Sequence, residues 1–232
     1  MILHSNDTQE QEVVLHHSGV VIKRATSSDS ISRLQIEKSI YEHLGSHPYI
    51  AKFLAYKEGE LTLAFCAHKD LLEYAGTFPD QLIPENELSG ICQQIASAMA
   101  YCHYRKVTHR DLKLENVFLD SEKQVRVGDF GFARRFTRMG QKFEPAGTLE
   151  LYSPEHFLGY MTPRTDLWSF GVLMFELYAG YLPFETNDIV RNKPHTWPEG
   201  VGTPHIQALV ESLLSYNPKH RPLFKYILLN LN

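Results

Sequence analysis

The stretch His109–Asn116 has the sequence HRDLKLEN and places a carboxylate, an ammonium group and an amide within six residues. Asp129-Phe130-Gly131 follows, beginning thirteen residues after Asn116. Neither motif is specific alone, because a lone His-Arg-Asp is commonly a surface turn and a lone Asp-Phe-Gly is commonly a β-turn. At this spacing, the two motifs together place carboxylates, an amide and a cation in one short region of the chain.

These residue types suit phosphoryl transfer from a nucleotide. Such a transfer needs a group that orients the attacking hydroxyl, oxygen ligands for magnesium, and positive charge facing the phosphates. Magnesium binds few protein oxygens in addition to phosphate oxygens, so that one aspartate and one asparagine amide suffice. The two motifs therefore indicate a magnesium-dependent phosphotransfer site.

Five further motifs occur in a fixed order around these two. They are Val20-Val21-Ile22-Lys23, Gly147-Thr148, Ser153-Pro154-Glu155, Asp166-Leu167-Trp168-Ser169-Phe170-Gly171 and His220-Arg221-Pro222. With all seven, about residues 12–231 resemble the eukaryotic-type serine/threonine protein kinases. The sequences Asp-Leu-Lys-Leu-Glu-Asn and Gly-Thr-Leu-Glu are most similar to the calcium/calmodulin- and AMP-regulated kinase group.

The resemblance implies an α+β, bilobal protein-kinase-like fold, with a small β-rich N-lobe and a larger α-helical C-lobe. The kinase domain would cover residues 1–232, with the N-lobe at about 1–66, the hinge at about 66–69 and the C-lobe at about 70–232. The residue patterns agree with this division, since β-branched runs precede residue 66 and helical periodicity dominates after it. The predicted strands are Glu12–His17, Val20–Arg24, Tyr49–Ala55 and Glu60–Phe65, and the first two are predicted to form a hairpin with a turn at Ser18-Gly19. Apolar residues at helical spacing up to Leu44 predict a helix that ends at Gly45, and Val117–Leu119 and Val125–Val127 predict a second hairpin around Asp120-Ser121. The predicted late helices are Leu167–Tyr178, which is apolar nearly all round, His205–Leu214 and Leu223–Leu231.

The resemblance also implies the catalytic roles. Asp111 would orient the substrate hydroxyl and accept its proton, and Lys113 would contact the γ-phosphate. Asn116 and Asp129 would hold magnesium, so ATP and Mg2+ are the expected cofactors. The lysine two residues after Asp111 is typical of serine/threonine kinases, which predicts serine or threonine hydroxyls of proteins as acceptors.

A second set of residues would bind the nucleotide. Lys23 would hold the α- and β-phosphates and would pair with Glu37, with Glu42 as the alternative partner. The contacts implied around the adenine and the ribose are Val21, the gatekeeper Phe65, the hinge residues Cys66 and His68, and Asp70.

Other matched residues would be structural. Glu155 and Arg221 are expected to form a buried ion pair, and Asp166 to tie the catalytic loop to the central helix. An apolar spine linking the lobes would consist of Tyr41, Phe53, His109 and Phe130.

One departure from the family pattern concerns the glycine-rich loop. The family pattern has three glycines before the lysine of the third strand, whereas Gly19 is the single glycine before Lys23 and lies in the hairpin turn. The segment expected to cover the phosphates is instead Ser5–Gln11. Backbone amides approach phosphates most closely where no Cβ intervenes, so this loss should weaken nucleotide binding. The alternative function is therefore a pseudokinase or nucleotide-binding scaffold. The retention of Lys23, Asp111 and Asp129 favours an active kinase, because clustered charges are costly without a ligand to balance them.

The activation segment carries a regulatory hypothesis. Arg110 is expected to meet a negative charge there, and we expect Glu144 to supply it permanently in place of a phosphorylated residue. Thr137 is the other candidate switch. Thr148 is expected to form hydrogen bonds near Asp111 and Lys113.

Composition limits the remaining classes of function. The net charge of −4 lacks the basic excess of nucleic-acid binders, and three scattered cysteines favour a reducing compartment. The longest apolar stretch, near Phe170–Leu177, is shorter than the roughly 20 residues of a membrane span, and the start MILHSNDTQEQE lacks a signal-peptide core. We therefore expect a cytoplasmic or nuclear monomer that acts on protein substrates, with no nucleic-acid or membrane partner. A separate targeting or regulatory subunit is also expected. A small-molecule phosphotransferase is disfavoured, because that class lacks Ser-Pro-Glu and the following Asp-x-Trp.

Overall fold

A computed structural model describes residues 2–5, 11–16, 19–185, 189, 194–229 and 231. Its first part is a five-stranded antiparallel sheet with one helix, and the part that follows is mostly helical. The predicted α+β, bilobal arrangement is therefore confirmed. The sheet has the order β1-β2-β3-β5-β4 and consists of β1 (Ile2–Ser5), β2 (Gln11–His16), β3 (Val20–Ala25), β4 (Phe53–Lys57) and β5 (Glu60–Ala64).

Strand β3 is the centre of the sheet and carries Lys23. Lys23 lies opposite Val13 of β2 and Leu61 of β5, and it is 8% exposed. The predicted hairpin before β3 is present, and Gly19 in its turn has φ 74°, a conformation that favours glycine. His17 and Ser18, which the predicted hairpin includes, lie outside the described residues, as do residues 6–10 of the expected phosphate-covering segment.

The predicted strand Tyr49–Ala55 was wrong in its bounds. Ile50 instead forms an isolated bridge with Val127, and the amide of Ala51 donates to the Val127 carbonyl at 2.8 Å. The backbone at Ile50 and Ala51 is therefore bonded to the second lobe, and bonding to β5 begins at Lys52, whose carbonyl accepts from the Ala64 amide at 2.9 Å. This pairing shortens the strand and links the two lobes.

Helix α1 (Ser28–Leu44) packs across the sheet and positions one face toward the second lobe. Ser27 caps its first turn, because the Ser27 hydroxyl accepts from the Ser30 amide and the Ser30 hydroxyl accepts from the Ser27 amide. The helix ends at Gly45, as predicted, where φ is 70°. Its buried face includes a carboxylate, Glu37, which has no exposed surface.

The second lobe is built around a buried helix, α5. Its helices are α2 (Leu71–Ala75), α3 (Glu85–Tyr104), α4 (Pro154–Phe157), α5 (Thr165–Ala179), α6 (Pro204–Leu213) and α7 (Phe224–Ile227). Helix α5 is buried on almost every side, which confirms the prediction of a central apolar helix. Helix α7 is shorter than the predicted Leu223–Leu231. Phe224 and Ile227 are the buried residues of this helix, and the chain turns after it, so that Leu229 is 73% exposed while Leu231 packs into the core at 5% exposure.

Short strands complete this lobe and frame the catalytic loop. They are β6 (Val107–Thr108), β7 (Val117–Leu119), β8 (Val125–Val127) and β9 (Arg134–Arg135). Strands β7 and β8 form the predicted hairpin, and Asp120 closes its turn by accepting from the amides of Glu122 and Gln124 at 2.9 and 3.0 Å. Strand β6 pairs with β9, which fixes the two ends of the region that contains both sequence motifs.

A buried ion pair ties the end of the activation segment to the late part of the chain. Arg221 donates to both carboxylate oxygens of Glu155, at 2.6 and 2.8 Å, and the two residues are 1% and 2% exposed. The predicted pair is therefore confirmed. Within the described ranges, no helix has the length and apolarity that a bilayer crossing demands.

Candidate active site

Lys23 lies between two carboxylates that come from different parts of the chain. Its Nζ is 3.1 and 3.2 Å from the two oxygens of Glu37 and 3.1 Å from Oδ1 of Asp129. The predicted pairing with Glu37 is thus present. The alternative partner, Glu42, instead forms an i,i+4 ion pair with Lys38 on the outer face of α1.

One ammonium group shared by two carboxylates makes their charges unequal. Burial favours the neutral amine, but Asp129 and Glu37 hold the pKa of Lys23 above its ordinary value. Burial opposes ionisation of Asp129 as well, yet Lys23 outweighs it and keeps the pKa of Asp129 below its ordinary value. Glu37 is the group that yields, since burial raises its pKa to about 7 in spite of Lys23.

This raised pKa predicts a pH dependence of nucleotide binding. Between pH 4.5, the ordinary pKa of glutamate, and about pH 7, Glu37 is protonated in the folded chain but ionised in the unfolded chain. The stability that this bound proton gives to the folded chain is therefore lost as pH rises from 4.5 to about 7. The ion pair with Lys23 depends on pH in the opposite direction, because it forms only when the Glu37 carboxylate is ionised at higher pH. We expect the affinity for Mg-ATP to fall roughly tenfold between about pH 7.5 and about pH 6, measured by calorimetry at each pH.

The matched control for this titration is Glu37→Gln. This variant keeps the shape of the side chain and removes the ionisable group, so only the titration of the nucleotide itself should remain. Equal pH slopes for the native chain and Glu37→Gln would contradict the assignment to Glu37.

Asp111 is oriented by two neighbours in the folded chain. Its Oδ1 accepts from both the amide and the hydroxyl of Thr148, each at 2.9 Å. Its Oδ2 accepts from the Asn116 side-chain amide at 3.1 Å, and the same amide donates to the Asp111 carbonyl at 2.8 Å. The predicted hydrogen bonding of Thr148 to Asp111 is confirmed. Lys113 is near Asp111 in sequence, and its Nζ lies 3.6 Å from Oε1 of Glu115.

Asp166 at the start of α5 holds the loop that carries Asp111. Its carboxylate accepts from the amides of His109 and Arg110, each at 2.9 Å, and from the Thr108 hydroxyl at 2.9 Å. Arg110 has φ 72°, which is strained for a residue with a Cβ. The two amide contacts compensate this strain and fix the backbone next to Asp111, as the sequence predicts for Asp166.

His103 is a further partner of Asp166 that the sequence analysis missed. Its Nε2 lies 2.8 Å from Oδ2 of Asp166, and its ring packs edge-on against Phe136 and Phe224. A histidine on the periodic face of a long helix gives no signal by which this contact could be found.

The predicted apolar spine is assembled. The ring of Tyr41 stacks on Phe53 at 5.8 Å and meets the edge of Phe130 at 5.1 Å, and Phe130 lies 4.9 Å from His109. His109 also bonds through Nε2 to the carbonyl of Gly128 at 2.9 Å. The spine therefore joins α1, the sheet and the catalytic loop, and it confirms the expected set of four residues.

The side chains of Asn116 and Asp129 fit a magnesium ion. Both nitrogen donations of Asn116 go to Asp111, so its carboxamide oxygen is the atom left to bind a cation. Asp129 uses Oδ1 on Lys23, and its side chain is 39% exposed, which leaves the other oxygen for a ligand. In the described part of the chain, no three His, Cys, Asp or Glu residues gather as a metal site.

Apart from Val21, the residues expected around the adenine and ribose lie between β5 and α2. The amide of Phe65 donates to Gly19 at 3.3 Å and the amide of His68 donates to Leu119 at 3.0 Å. Cys66 between them is half-buried, and burial raises the pKa of its thiol to about 11, so the thiol is neutral at pH 7. Val21 lies on β3, two residues before Lys23.

Asp70 has a structural task that the sequence analysis did not assign. Its Oδ1 accepts from the amide of Glu73 at 2.9 Å and thereby caps α2. The cap occupies one carboxylate oxygen of the residue that was expected to reach the ribose.

The expected ion pair between Arg110 and Glu144 was wrong in its atoms. The Arg110 guanidinium donates to the backbone carbonyls of Phe132 and Glu144, at 3.1 and 2.5 Å, and lies over the ring of Phe143. Arg110 thus reaches Glu144 through the main chain, because its two Nη atoms donate to backbone carbonyls of the segment, while its buried Nε has no hydrogen-bond partner among the described residues. The other candidate switch, Thr137, is exposed, and its hydroxyl donates to Gln141 at 3.1 Å.

Gly147 is required where the activation segment passes the catalytic loop. Its φ is 95°, and a Cβ there would lie 2.5 Å from the Arg110 carbonyl and 3.0 Å from Oδ1 of Asp111. We expect Gly147→Ala to displace Thr148 from Asp111 and to lower turnover by about tenfold, with a loss of more than about 1 kcal/mol in stability. Steady-state kinetics and urea unfolding measure both effects.

The control for this substitution is Gly140→Ala, because a Cβ at Gly140 would meet no atom within 4 Å. It should leave turnover unchanged. Native kinetics for Gly147→Ala would contradict the required close approach.

Comparisons with known proteins agree with this geometry. A family model described as Protein kinase domain matches residues 7–230 of the chain. The chain is 32% identical over 213 residues to the Carbon catabolite-derepressing protein kinase of Candida tropicalis, covering 87% of this chain and 34% of that protein. It is 30% identical over 212 residues to the Cell cycle serine/threonine-protein kinase CDC5/MSD2 of Saccharomyces cerevisiae, covering 85% and 29%.

The comparisons also set the scale of the match. The chain spans about a third of the length of these curated relatives. The family match covers residues 7–230, a range that leaves out β1 and includes strands β2 to β5, the Lys23–Glu37 pair, the catalytic loop and the central helix. The chain therefore belongs to the protein kinase domain family.

Proposed function

We propose that this chain transfers the γ-phosphate of ATP to serine or threonine hydroxyls of proteins. The observation that carries the proposal is the simultaneous presence of two arrangements. Lys23 is paired with Glu37 and Asp129 at 3.1 Å, while Asp111 is oriented by Thr148 and Asn116. A cation for the phosphates and a carboxylate for the attacking hydroxyl are two of the three parts that this reaction needs from the protein, and the third is a set of oxygen ligands for magnesium.

The residues of the loop would divide the chemical work. Asp111 orients the acceptor hydroxyl and takes its proton, and its fixed position makes the transfer effectively intramolecular. Lys113 contacts the γ-phosphate. Asn116 and Asp129 hold Mg2+, which when bound neutralises charge on the phosphate oxygens.

The nucleotide would lie between the sheet and the loop. Lys23 holds the α- and β-phosphates, with Glu37 as its partner. The adenine and ribose contacts are Val21, Phe65, Cys66, His68 and Asp70, in and beside a hinge at about 66–69. With this hinge, the kinase domain would cover residues 1–232, with an N-lobe of about 1–66 and a C-lobe of about 70–232.

The choice of serine or threonine as acceptor follows from Lys113 and from the relatives. The relative from Saccharomyces cerevisiae is named a serine/threonine-protein kinase, and it covers 85% of the chain. The proposed substrates are proteins, and a separate subunit would supply targeting or regulation. The proposed catalytic form is a monomer in the cytoplasm or the nucleus.

Transfer of labelled γ-phosphate to a mixed protein substrate, with and without magnesium, tests this function. We expect label on phosphoserine and phosphothreonine that depends on magnesium. The absence of both incorporation and a thermal shift with Mg-ATP would overturn the proposal. Such a result would favour the alternative of a pseudokinase scaffold, which does not bind nucleotide because it lacks the glycine-rich loop.

A further inference from the structure

The last turn of α1 is attached to the second lobe by residues at the end of α3. Arg105, the residue after α3, donates from Nη1 to the carbonyl of Leu44 at 2.9 Å and from Nη2 to the carbonyl of His43. The hydroxyl of Tyr101 donates to the same Leu44 carbonyl at 2.5 Å. We name these four residues, His43, Leu44, Tyr101 and Arg105, the α1 clamp.

The α1 clamp is reciprocal. The imidazole Nε2 of His43 lies 2.8 Å from the carbonyl of Arg105, and this nitrogen must be the donor because a carbonyl only accepts. Nη1 of Arg105 also donates to the Tyr101 hydroxyl at 2.9 Å. Each side of the contact therefore supplies both donors and acceptors, which fixes the relative position of the two helix ends.

The clamp matches what the end of a helix needs. The last four carbonyls of an α-helix have no partner within the helix, and together they carry a partial negative charge. A guanidinium group is a rigid, always charged fork that can bind two carbonyls at once. Since Arg105 is half-buried, these bonds are partly shielded from water.

The clamp lies on the same helix as Glu37. Glu37 precedes Leu44 by seven residues, which is about two turns or roughly 10 Å of helix. The other end of α1 is capped within the sheet lobe by Ser27. A shift or rotation of the clamped end would therefore move Glu37 relative to Lys23.

We propose that Arg105 is a positioning residue that acts through α1 to hold Glu37 against Lys23. This inference rests on the proposed kinase function. Without the clamp, α1 would spend part of its time with Glu37 displaced. Bound ATP would favour its return, because ATP binds the paired form of Lys23 more tightly.

Steady-state kinetics of Arg105→Ala, Arg105→Lys and a control test the positioning role. We expect Arg105→Ala to raise KM for ATP by about tenfold and to change kcat by less than about threefold. The reason is that only the fraction of molecules with Glu37 paired to Lys23 binds ATP well, and saturating ATP restores that form. Arg105→Lys should recover part of the effect, because an ammonium group can reach one carbonyl. The matched control is Arg164→Ala, since Arg164 also donates to backbone carbonyls, those of Pro218 and Arg221, but far along the chain from α1.

A double-mutant cycle separates positioning from general destabilisation. If Arg105 acts through Glu37, Arg105→Ala should add less than about twofold to the KM of Glu37→Gln. Additive effects of the two substitutions, or an equal rise in KM for Arg164→Ala, would overturn the proposal.

Hydrogen exchange of α1 distinguishes failure of the clamp from failure of the proposed function. Arg105→Ala should speed exchange of the amides in residues 38–44, and this readout needs no catalysis. If the native chain transfers no phosphate, the proposed function fails. Unchanged exchange in Arg105→Ala would refute the clamp whether or not the native chain is active.

Discussion

Asp111→Asn should reduce phosphate transfer by about 10²- to 10⁴-fold, the range that a positioned general base contributes. Asparagine keeps the size of the side chain and can still accept from Thr148 at one atom. Its amide nitrogen, however, would face the amide nitrogen of Asn116, which now donates to Oδ2 at 3.1 Å. The variant therefore loses the proton acceptor and the orientation of the group together. The measurement is kcat under saturating Mg-ATP.

Nucleotide affinity separates this chemical effect from a folding defect. The described hydrogen bonds of Asp111 are with Thr148, the Asn116 side chain and the imidazole of His109, so the Kd for Mg-ATP should stay within about twofold of the native value. The matched control is Asp80→Asn, an exposed carboxylate in the turn Pro79–Gln81. Retention of more than about a tenth of native turnover in Asp111→Asn would show that another group accepts the proton.

The largest stability loss is expected for Arg221→Ala. This substitution leaves the Glu155 carboxylate buried at 2% exposure without its cation. It also removes donors to the carbonyls of Ser215 and Arg164, at 2.9 and 3.1 Å. We expect the free energy of unfolding to fall by about 3–5 kcal/mol, measured by urea denaturation.

Two further variants identify the cause of that loss. The double variant Arg221→Met with Glu155→Leu should be more stable than Arg221→Ala, because no unpaired charge remains buried. Arg24→Ala breaks an ion pair with Glu60 whose side chains are 43% and 44% exposed, and it should cost less than about 1 kcal/mol. Equal losses for Arg221→Ala and Arg24→Ala would contradict the role of burial.

The sequence predicted the parts of the site that depend on local pattern or family spacing. The β7–β8 hairpin follows from two β-branched runs around Asp120, and the end of α1 follows from Gly45. The pairing of Lys23 required a choice between Glu37 and Glu42, which lie on different faces of α1. The structure decides between them, because Glu37 is fully buried beside Lys23 whereas the side chain of Glu42 is 50% exposed.

Contacts made by the backbone could not be predicted in the same way. A sequence does not show whether Arg110 meets the carboxylate or the carbonyl of Glu144, because both belong to one residue. The contact of Arg105 with the carbonyls of α1 has no partner side chain to give a pattern. The length of α7 likewise depends on which apolar residues find a core to pack against, and that is a property of the whole lobe.

The hydrogen bonds that Asp166 makes to the catalytic loop also determine when, during synthesis of the chain, this loop can take its folded shape. The carboxylate lies 57 residues after His109 along the chain, so the loop is made well before its anchor. A nascent chain that has emerged as far as Asn116 has nothing to hold the strained backbone of Arg110. The loop should therefore acquire its shape late, when α5 docks, and a growing chain on the ribosome stays catalytically silent until then.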